Sequence, residues 1–328
     1  MNFLARSING AKFFRAYIKK TIYCDYPPLV LMVEPTNICN IRCGMCPNKI
    51  MTREKGFMSF ELYKKLIDDN HDFIQSLNLF VLGEPLLNRR LPEMVLYAKN
   101  RNIKTVIFTN GTLLDKDLSR KLIIAGIDEI SISFEGGSCL TENIFNNIKI
   151  LLMEKKKINK HSPLICVRLI NSGFAYEAVS GMIKNLKLLG VNYVLNVPIH
   201  DWTGKYSLGL KDKRLTNKVG KNYFHCVLPW SVLAVHWNGE VVGCCDDFDG
   251  EFIIGDINKT PKLFDIWNNN KMCFLRKMLA DQMNGNINIC KNCARLQLSP
   301  FKSPILENVL YELLAYCHSS FNYFRSRF

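Results

Sequence analysis

The sequence predicts a parallel α/β fold followed by a small cysteine-rich domain. The first observation is a regular alternation of short β-rich runs with helical runs between residues 29 and 197. The second is a change of composition after residue 200, where Gly, Asp, Asn, Trp and Cys become frequent. Strand–helix alternation favours a parallel sheet with right-handed crossovers. Six such units are too few for a full eight-stranded barrel, which leaves a partial barrel or an open doubly wound sheet.

The α/β part is predicted element by element from its β-rich runs and its helix caps. The six predicted strands are Leu29–Glu34, Ser76–Leu82, Thr105–Thr109, Glu129–Phe134, Leu164–Ile170 and Tyr193–Val197. The helices predicted between them cover residues 59–70, 91–101, 115–125, 141–155 and 176–189. Pro92 suits a first helical turn, Asp115 suits an N-cap, and Gly126 and Gly190 suit C-terminal caps.

The two ends of the chain read differently from its middle. Leu233–Cys245 is a hairpin-like stretch that turns at Asn238 and Gly239. The residues after 304 carry an apolar helical pattern, which predicts a packing helix. The predicted parts are an N-terminal basic helical extension at 1–27, an α/β core domain at 28–200, a cysteine-rich domain at 201–300 and a C-terminal helix at 301–328.

The N-terminal extension has two interpretations. Residues 1–22 carry lysines and arginines among apolar side chains and contain no acidic residue. A basic amphipathic helix of this kind could make peripheral contact with anionic lipid. We instead expect a terminal helix whose apolar face docks on the main domain.

Composition excludes several classes of protein. The chain has 328 residues, 43 Lys and Arg against 29 Asp and Glu, a net charge of +14 and 48% hydrophobic residues. This is ordinary globular composition, which excludes a mainly disordered chain. No run of 18 apolar residues and no signal peptide are found, so we expect a cytoplasmic protein. Its 13 cysteines should then be reduced, and those in tight groups are expected to bind metal or take part in catalysis.

Cys39, Cys43 and Cys46 lie within eight residues, directly after the first predicted strand. In parallel α/β folds, the loops at the carboxyl ends of strands build the active site. Three thiolates can hold three corners of a 4Fe-4S cluster and leave its fourth iron open to a ligand with an amino group and a carboxylate. The alternatives are a zinc knuckle or cysteines of the core. Zinc sites usually close with a fourth Cys or His nearby, and none follows here.

The pattern Cys39-x-x-x-Cys43-x-x-Cys46 after a first strand resembles the signature of radical S-adenosylmethionine (SAM) enzymes. The resemblance implies a partial (β/α)6 barrel and a SAM-binding 4Fe-4S cluster held by the three cysteines. It also implies that the reduced cluster cleaves SAM to a 5′-deoxyadenosyl radical, which abstracts hydrogen from a substrate carbon. The sequence departs from the family at Met45, where an aromatic residue commonly stands.

Two later strand ends agree with the same family. Gly83, Glu84 and Pro85 resemble its GGEP motif without the first glycine, which implies hydrogen bonds to the methionine amino group of SAM. Alone, these residues would indicate only a turn with a solvated acid. Asn110 lies in a Thr-Asn-Gly turn that resembles the family turn shaping the SAM pocket.

The fourth and fifth strands supply two more candidates for SAM binding. Ser133 lies in a stretch that resembles the family pattern S-x-D-G, with Glu135 in place of the aspartate, which implies a hydrogen bond to the ribose. Arg168 suits the SAM carboxylate, because a guanidinium binds a carboxylate in a bidentate manner. Its alternative is a surface charge on a strand. The loop after Gly136 is shorter than usual in this family and lacks a segment that commonly carries an arginine.

A second set of cysteines resembles the SPASM or twitch auxiliary-cluster domain of radical SAM enzymes. The set comprises Cys226, Cys244, Cys290 and Cys293, with a hairpin that brings the first two together. The resemblance implies a second 4Fe-4S cluster with four thiolates and no open iron, acting in electron transfer or as a scaffold. A four-cysteine zinc site is the alternative, because thiolates suit both metals. Cys245 could replace Cys244 as a ligand, although the glycine spacing favours Cys244.

The resemblance implies an oxidoreductase-like enzyme that draws electrons from a one-electron donor such as flavodoxin or ferredoxin. We expect a small polar substrate, a sugar or aminocyclitol derivative, that undergoes dehydrogenation or epimerisation. The basic stretch between Lys205 and Lys221 would suit an anionic group on it. The alternatives are a peptide-modifying maturase and a non-enzymatic, zinc-holding basic protein that binds nucleic acid. We expect no nucleic acid partner, because no RNA-binding motif is present.

Overall fold

The computed structural model of the chain describes residues 3–134, 141–171, 176–198, 202 and 225–293. Three predicted features lie outside these residues: the shortened loop after Gly136, the basic stretch between Lys205 and Lys221, and the C-terminal helix at 301–328. The described part contains a nine-stranded sheet with helices.

The strands of the sheet are β1 (Val30–Val33), β2 (Ser76–Leu79), β3 (Lys104–Thr109), β4 (Glu129–Phe134), β5 (Leu164–Asn171), β6 (Tyr193–Pro198), β7 (Val232–Val235), β8 (Glu240–Val242) and β9 (Ile253–Asp256). Their order is β6-β5-β4-β3-β2-β1-β7-β8-β9. All neighbours from β6 to β7 are parallel, and β8 is antiparallel to both β7 and β9. The predicted parallel sheet is confirmed, and the C-terminal strands extend it along β1.

The described helices are α1 (Phe3–Ile18), α2 (Phe60–Asn70), α3 (Leu91–Lys99), α4 (Lys116–Ala125), α5 (Thr141–Ile158), α6 (Tyr176–Leu189), α7 (Leu228–Ser231), α8 (Leu263–Trp267), α9 (Asn270–Ala280) and α10 (Asn288–Lys291). The five predicted helices are confirmed as α2 to α6. Asp115 caps α4 by accepting from the Leu118 N–H, and Gly126 ends that helix with φ +85°. The predicted hairpin is also confirmed, because Gly239 makes its turn with φ +95°.

One strand is shorter than predicted. The apolar run from Ser76 to Leu82 predicts a strand through Leu82, but β2 ends at Leu79. Leu79 pairs with Val33, which is the last residue of β1. Beyond this pair, β1 offers no strand residue with which β2 could continue. The three apolar residues after Leu79 therefore begin the turn that leads to Gly83.

The helices cover one face of the parallel sheet. Leu31, Leu77 and Ile107 belong to the same buried cluster as the apolar residues of α2 to α5. Val30 and Met32 of β1 alternate with these and pack instead with Val232 and Ala234 of β7. Because successive side chains of a strand point to opposite faces, the second face is the inner one, away from the helices. Parallel strands with helices on one face are the geometry of a partial barrel.

The N-terminal helix docks on the main domain, as expected. Phe13 and Tyr17 of α1 are buried in the helix-side core, and Tyr17 Oη donates to the His225 carbonyl at 2.7 Å. Phe13 packs edge-on against Tyr26, with ring centroids 6.3 Å apart. None of the described helices has the length and apolar content that crossing a membrane requires.

Candidate active site

The loop that carries the first three cysteines follows β1 and is held at its base by Asn37. The buried side chain of Asn37 donates to the Glu54 carbonyl at 2.8 Å and accepts from the Gly56 N–H at 2.9 Å. Its own carbonyl accepts from Asn48 Nδ2 at 2.6 Å. These bonds hold residues 37–56 together as one loop. Sequence reasoning missed Asn37, because a lone amide outside the cysteine pattern gives no signal of its own.

Cys39, Cys43 and Cys46 are each partly exposed, and the described cysteines form no disulfide. The Cys46 N–H donates to the Cys43 carbonyl at 3.2 Å, which turns the chain between the second and third thiols. Burial raises the pKa of the Cys39 thiol, and the nearby carboxylate of Glu84 raises it further. Metal binding at this loop must therefore displace at least one tightly held proton.

Gly83 brings the end of β2 directly onto the start of the cysteine loop. Its φ is +80°, and a Cβ at this position would lie 2.6 Å from the Thr36 carbonyl oxygen and 2.7 Å from the Asn37 carbonyl carbon. The next residue, Glu84, donates its N–H to the Ile38 carbonyl at 2.8 Å. Only glycine fits this combination of positive φ and close backbone approach. Residues Gly83 to Pro85, the GEP segment, are therefore in contact with the predicted cysteine loop.

The Glu84 side chain connects the ends of β2 and β3. Its buried carboxylate accepts from Thr109 Oγ1 at 2.7 Å, from the Asn110 N–H at 2.8 Å and from the Leu86 N–H at 3.1 Å. Burial raises the pKa of Glu84 to about 7, although these three donors oppose the shift. Because the carboxylate is used inside the protein, any ligand contact of this segment must be made by its backbone, where the carbonyls of Glu84 and Pro85 already accept from the Leu87 and Asn88 N–H groups.

Asn110 connects the end of β3 to the cysteine loop. Its Nδ2 donates to Asn40 Oδ1 at 2.9 Å and lies 3.9 Å from Cys39 Sγ. Asn40 in turn donates to Thr112 Oγ1 at 2.8 Å, and Thr112 donates back to Asn110 Oδ1 at 2.6 Å. Hydrogen bonds to ligand sulfurs influence the potential of an iron–sulfur cluster. Asn110 therefore contacts the cysteine site itself as well as shaping the turn.

Ser133 and Arg168 lie side by side on the inner face of the sheet. They are paired across β4 and β5, and the Arg168 guanidinium stands over the Phe108 ring at 5.5 Å. Phe108 is also in ring contact with Phe80, at a centroid distance of 5.1 Å. The inner face near the carboxyl ends of these strands thus combines a hydroxyl, a cation and two aromatic rings.

Sequence reasoning missed two polar residues of the same face. Asn78 pairs with Met32 and Val106, is fully buried, and has no hydrogen-bond partner at either side-chain atom. Glu129 is buried on β4, two strands away from Asn78, and Glu129 Oε2 is likewise without a partner. Burial raises the pKa of Glu129, against the opposing charges of Lys104 and Arg168. Buried polar groups without protein partners are unusual, and both are covered by other parts of the chain in this structure.

The second cysteine set is assembled from three separate segments. Cys226 precedes α7, Cys244 follows β8, and Cys290 and Cys293 belong to α10 and the turn after it. The last two are 8% and 7% exposed. The Asp247 N–H donates to the Cys244 carbonyl at 3.2 Å, and the Asp247 charge helps to raise the pKa of Cys290. The segment after β8 therefore meets α10.

The chemistry of these thiols fits a bound metal centre. Burial, followed by the charges of Cys293 and Asp247, raises the pKa of Cys290 to about 12. The pKa of Cys244 is also raised well above its usual range, first by its hydrogen bond with Cys245 and then by burial and the charges of Asp246, Cys245 and Cys226. Without a metal these cysteines are therefore neutral thiols, and a cluster bound here would have to displace their protons.

Within the described residues, no three His, Cys, Asp or Glu side chains lie close enough to share a single metal ion.

Two family models match the chain. The model of the radical SAM superfamily matches residues 33–162, and the model of an iron–sulfur cluster-binding domain, SPASM, matches residues 226–294. The first range contains the cysteine loop and the ends of β2 to β4, and the second contains all four C-terminal cysteines. These matches show an enzyme family, so the alternative of a non-enzymatic protein is wrong.

Two curated relatives cover most of the chain. A tungsten-containing aldehyde ferredoxin oxidoreductase cofactor-modifying protein of Pyrococcus furiosus is 25% identical over 80% of this chain and 86% of its own length. An S-adenosyl-L-methionine-dependent 2-deoxy-scyllo-inosamine dehydrogenase of Niallia circulans is 26% identical over 80% of this chain and 92% of its own length.

Two solved structures share the fold. The crystal structure of BtrN in complex with AdoMet and 2-DOIA superposes with a TM-score of 0.59, at 23% identity, over 82% of this chain and 94% of that one. Streptococcus suis SuiB bound to the precursor peptide SuiA gives a TM-score of 0.64 at 14% identity, over 87% and 75% of the two chains. At these identities the likeness concerns the fold.

Proposed function

Because this chain belongs to the radical SAM superfamily and carries a C-terminal SPASM domain, we propose that it oxidises a small polar substrate, a sugar or an aminocyclitol derivative. The family makes it an enzyme that uses 4Fe-4S clusters and SAM. The observation that carries the substrate class is the similarity to an aminocyclitol dehydrogenase over 92% of that enzyme's length.

Cys39, Cys43 and Cys46 would hold the SAM-binding cluster. They come from one loop and are partly exposed; Asn110 Nδ2 lies 3.9 Å from Cys39 Sγ, and the Glu84 N–H donates to the carbonyl of Ile38 beside it. Three ligands leave one iron for the amino and carboxylate groups of SAM. When bound and reduced by a donor such as flavodoxin or ferredoxin, this centre supplies the electron that cleaves SAM and so initiates hydrogen abstraction.

The surrounding residues would place SAM at this loop. Gly83 allows the β2 end to approach the loop without a Cβ, and the backbone of Gly83 to Pro85 would bind the methionine ammonium. The buried Glu84 carboxylate fixes the β3 end, where Asn110 contacts Cys39. Ser133 and Arg168 stand on the inner face, where they would bind the ribose and the SAM carboxylate.

The substrate would bind on the inner face of the sheet. Asn78 offers a buried amide donor and acceptor with no protein partner, and Glu129 Oε2 is also unsatisfied. A hydroxyl-rich substrate can satisfy both groups, whereas an apolar one would leave them buried and unpaired. The Phe80–Phe108 pair supplies an apolar wall beside Arg168. An anionic group on the substrate would be matched by the overall charge of +14.

Cys226, Cys244, Cys290 and Cys293 would hold the auxiliary cluster with no open position. In the oxidation, the substrate carbon loses a hydrogen atom, its hydroxyl loses a proton to solvent, and one further electron leaves to give a ketone. The group held by these four thiols supplies the acceptor for that electron. Epimerisation would instead return a hydrogen atom to carbon and need no acceptor.

The test of this proposal is isotopic. The reduced enzyme is incubated with SAM and with candidate sugars or aminocyclitols that carry deuterium at single carbons. Deuterium in 5′-deoxyadenosine together with a ketone product supports dehydrogenation, and deuterium without a ketone indicates epimerisation. The peptide-maturase alternative predicts transfer from a peptide and none from any sugar or cyclitol, which would overturn the proposed substrate class.

A further inference from the structure

Arg53 joins the loop of the first cysteine set to the region of the second. It lies seven residues after Cys46, and its two terminal nitrogens bind the carboxylate of Glu34, with Nη1–Oε2 2.8 Å and Nη2–Oε1 2.5 Å. Its Nε donates to the carbonyl of Phe248 at 2.7 Å. Phe248 lies four residues after Cys244, so a single side chain connects the two regions.

The residues next to Arg53 also contact the C-terminal region. The Thr52 N–H donates to Asp249 Oδ1 at 2.6 Å, and the Trp237 indole N–H donates to the Glu54 carbonyl at 3.2 Å. The Trp237 ring lies against Gly56, where a Cβ would come within 2.5 Å of it. The short segment from Thr52 to Gly56 therefore rests on the hairpin and on the turn that follows it.

Glu34 is bound both by Arg53 of the cysteine loop and by Trp237 of the C-terminal hairpin. It directly follows β1, its side chain is fully buried, and the Trp237 N–H donates to Glu34 Oε2 at 3.3 Å. Its backbone N–H donates to the Val235 carbonyl at 2.9 Å, at the end of β7. A buried ion pair is weak evidence for stability, because desolvation offsets its attraction. Its specific contribution here is geometric: the bidentate fork fixes the cysteine loop relative to the C-terminal region.

We propose that Arg53 is a positioning residue that couples the two cluster sites: its contacts with Glu34 and Phe248 hold the Cys39–Cys46 loop in its SAM-binding geometry against the C-terminal region, so a disturbance of the auxiliary site reaches the SAM site through Arg53. This rests on the proposed assignment of the seven cysteines to two clusters. Arg53 touches neither set of thiols in this scheme, so its effect passes through the backbone after Cys46 and the backbone after Cys244.

The test is a double-mutant cycle that measures SAM affinity. SAM binding is measured anaerobically by equilibrium dialysis, in the parent enzyme and in its Cys290→Ala/Cys293→Ala form. The same pair is then measured with Arg53→Lys, which keeps the charge but cannot bind Glu34 and Phe248 together. We expect loss of the auxiliary site to weaken SAM binding about tenfold with Arg53, and less than twofold with the lysine. Equal weakening in both backgrounds would overturn the proposal.

Two control variants test whether the loss of coupling is specific to the Arg53–Glu34 pair. Arg90→Lys changes an arginine paired with Glu93 on the surface, and it should leave the tenfold effect intact. Glu34→Gln/Arg53→Met removes both buried charges together, so it avoids a lone buried carboxylate if the lysine variant does not fold; it should also abolish the coupling. Iron analysis is done first: a parent without two clusters refutes the proposed function, whereas two clusters with additive effects refute only the coupling.

A readout without clusters completes the test. Hydrogen exchange of residues 47–57 is followed in cluster-free protein with Arg53 and with Arg53→Lys. Faster exchange in the lysine variant, with unchanged exchange in α2 to α4, is expected if Arg53 fixes this segment. Unchanged exchange in residues 47–57 would also overturn the positioning role.

Discussion

The two cysteine sets are built in opposite ways. Cys39, Cys43 and Cys46 come from one loop after β1 and remain partly exposed. The C-terminal set comes from three segments, with Cys226 and Cys244 partly exposed as well and Cys290 and Cys293 almost fully buried. Three cysteines leave one position of a cubane open, whereas four cysteines fill all of its positions. We therefore expect an open, reactive site at the first set and a closed site at the second.

The largest effect is expected from removing Cys39, Cys43 and Cys46, which we call the open set. Replacing Cys39, Cys43 and Cys46 with alanine should abolish reductive cleavage of SAM, because the only centre with a free iron is lost. About four irons should remain per chain, measured by anaerobic iron analysis. Cys273→Ala, a partly buried cysteine outside both sets, serves as the matched control and should retain about eight. Formation of 5′-deoxyadenosine by the triple variant under dithionite would place the SAM site elsewhere.

Removing ligands of the C-terminal set, which we call the closed set, should abolish substrate oxidation and leave SAM cleavage intact. Cys290→Ala/Cys293→Ala is expected to lose about four irons and substrate oxidation but to retain reductive SAM cleavage, because the first loop keeps its own ligands. Product analysis would then show 5′-deoxyadenosine without a ketone. Stoichiometric zinc in the parent protein in place of iron would contradict the assignment of both sets.

A smaller effect, on SAM affinity, is expected from a substitution at Gly83, where the end of β2 meets the loop of Cys39, Cys43 and Cys46. Gly83→Ala adds a Cβ where φ is +80° and the Thr36 carbonyl lies 2.6 Å away, so either the β2 end or the loop must shift. A strain of about 1–3 kcal/mol corresponds to SAM binding weakened by roughly tenfold or more. Gly10→Ala, in α1 with nothing within 4 Å of the added atom, should leave SAM affinity unchanged. Unaltered affinity of the Gly83 variant would show that the close approach is not needed for binding.

The smallest effect concerns the hairpin between the two sets. His236 is fully buried with neither ring nitrogen partnered, and burial, aided by the charge of Arg53, lowers its pKa to about 3. Since the unfolded chain binds this proton below pH 6.5 and the folded chain does not, stability should fall as pH drops from 6.5 towards 3. The expected slope is about 1.4 kcal/mol per pH unit.

Urea unfolding of the reconstituted protein at pH 7.5 and pH 5.5 measures this effect. His236→Phe keeps the ring volume without the titrating nitrogens and should reduce the loss of stability at pH 5.5. His161→Gln, at an exposed position, should follow the parent. The same pH dependence in the His236 variant as in the parent would assign the acid sensitivity to other groups.

Local signals predicted most of the α/β part. The six β-rich runs and the caps at Asp115 and Gly126 are properties of short segments, and the observed elements follow them closely. The run ending at Leu82 was the exception, because strand length depends on the partner strand and not on the run itself. The three-cysteine loop and the GEP segment were also readable, since each functional pattern lies within a few consecutive residues.

By itself, the sequence determined the family, the two cofactor types and the ligand candidates, because cysteine spacing and strand–helix alternation are encoded locally. The tertiary structure alone decided which groups meet across the chain: Gly83 against Thr36, Glu84 beneath Asn110, and Arg53 between Glu34 and Phe248. It also left the amide of Asn78 unpartnered on the inner face. Such pairings depend on strand order and register, which bring together residues as distant in sequence as Arg53 and Phe248, 195 positions apart, and no local pattern records them.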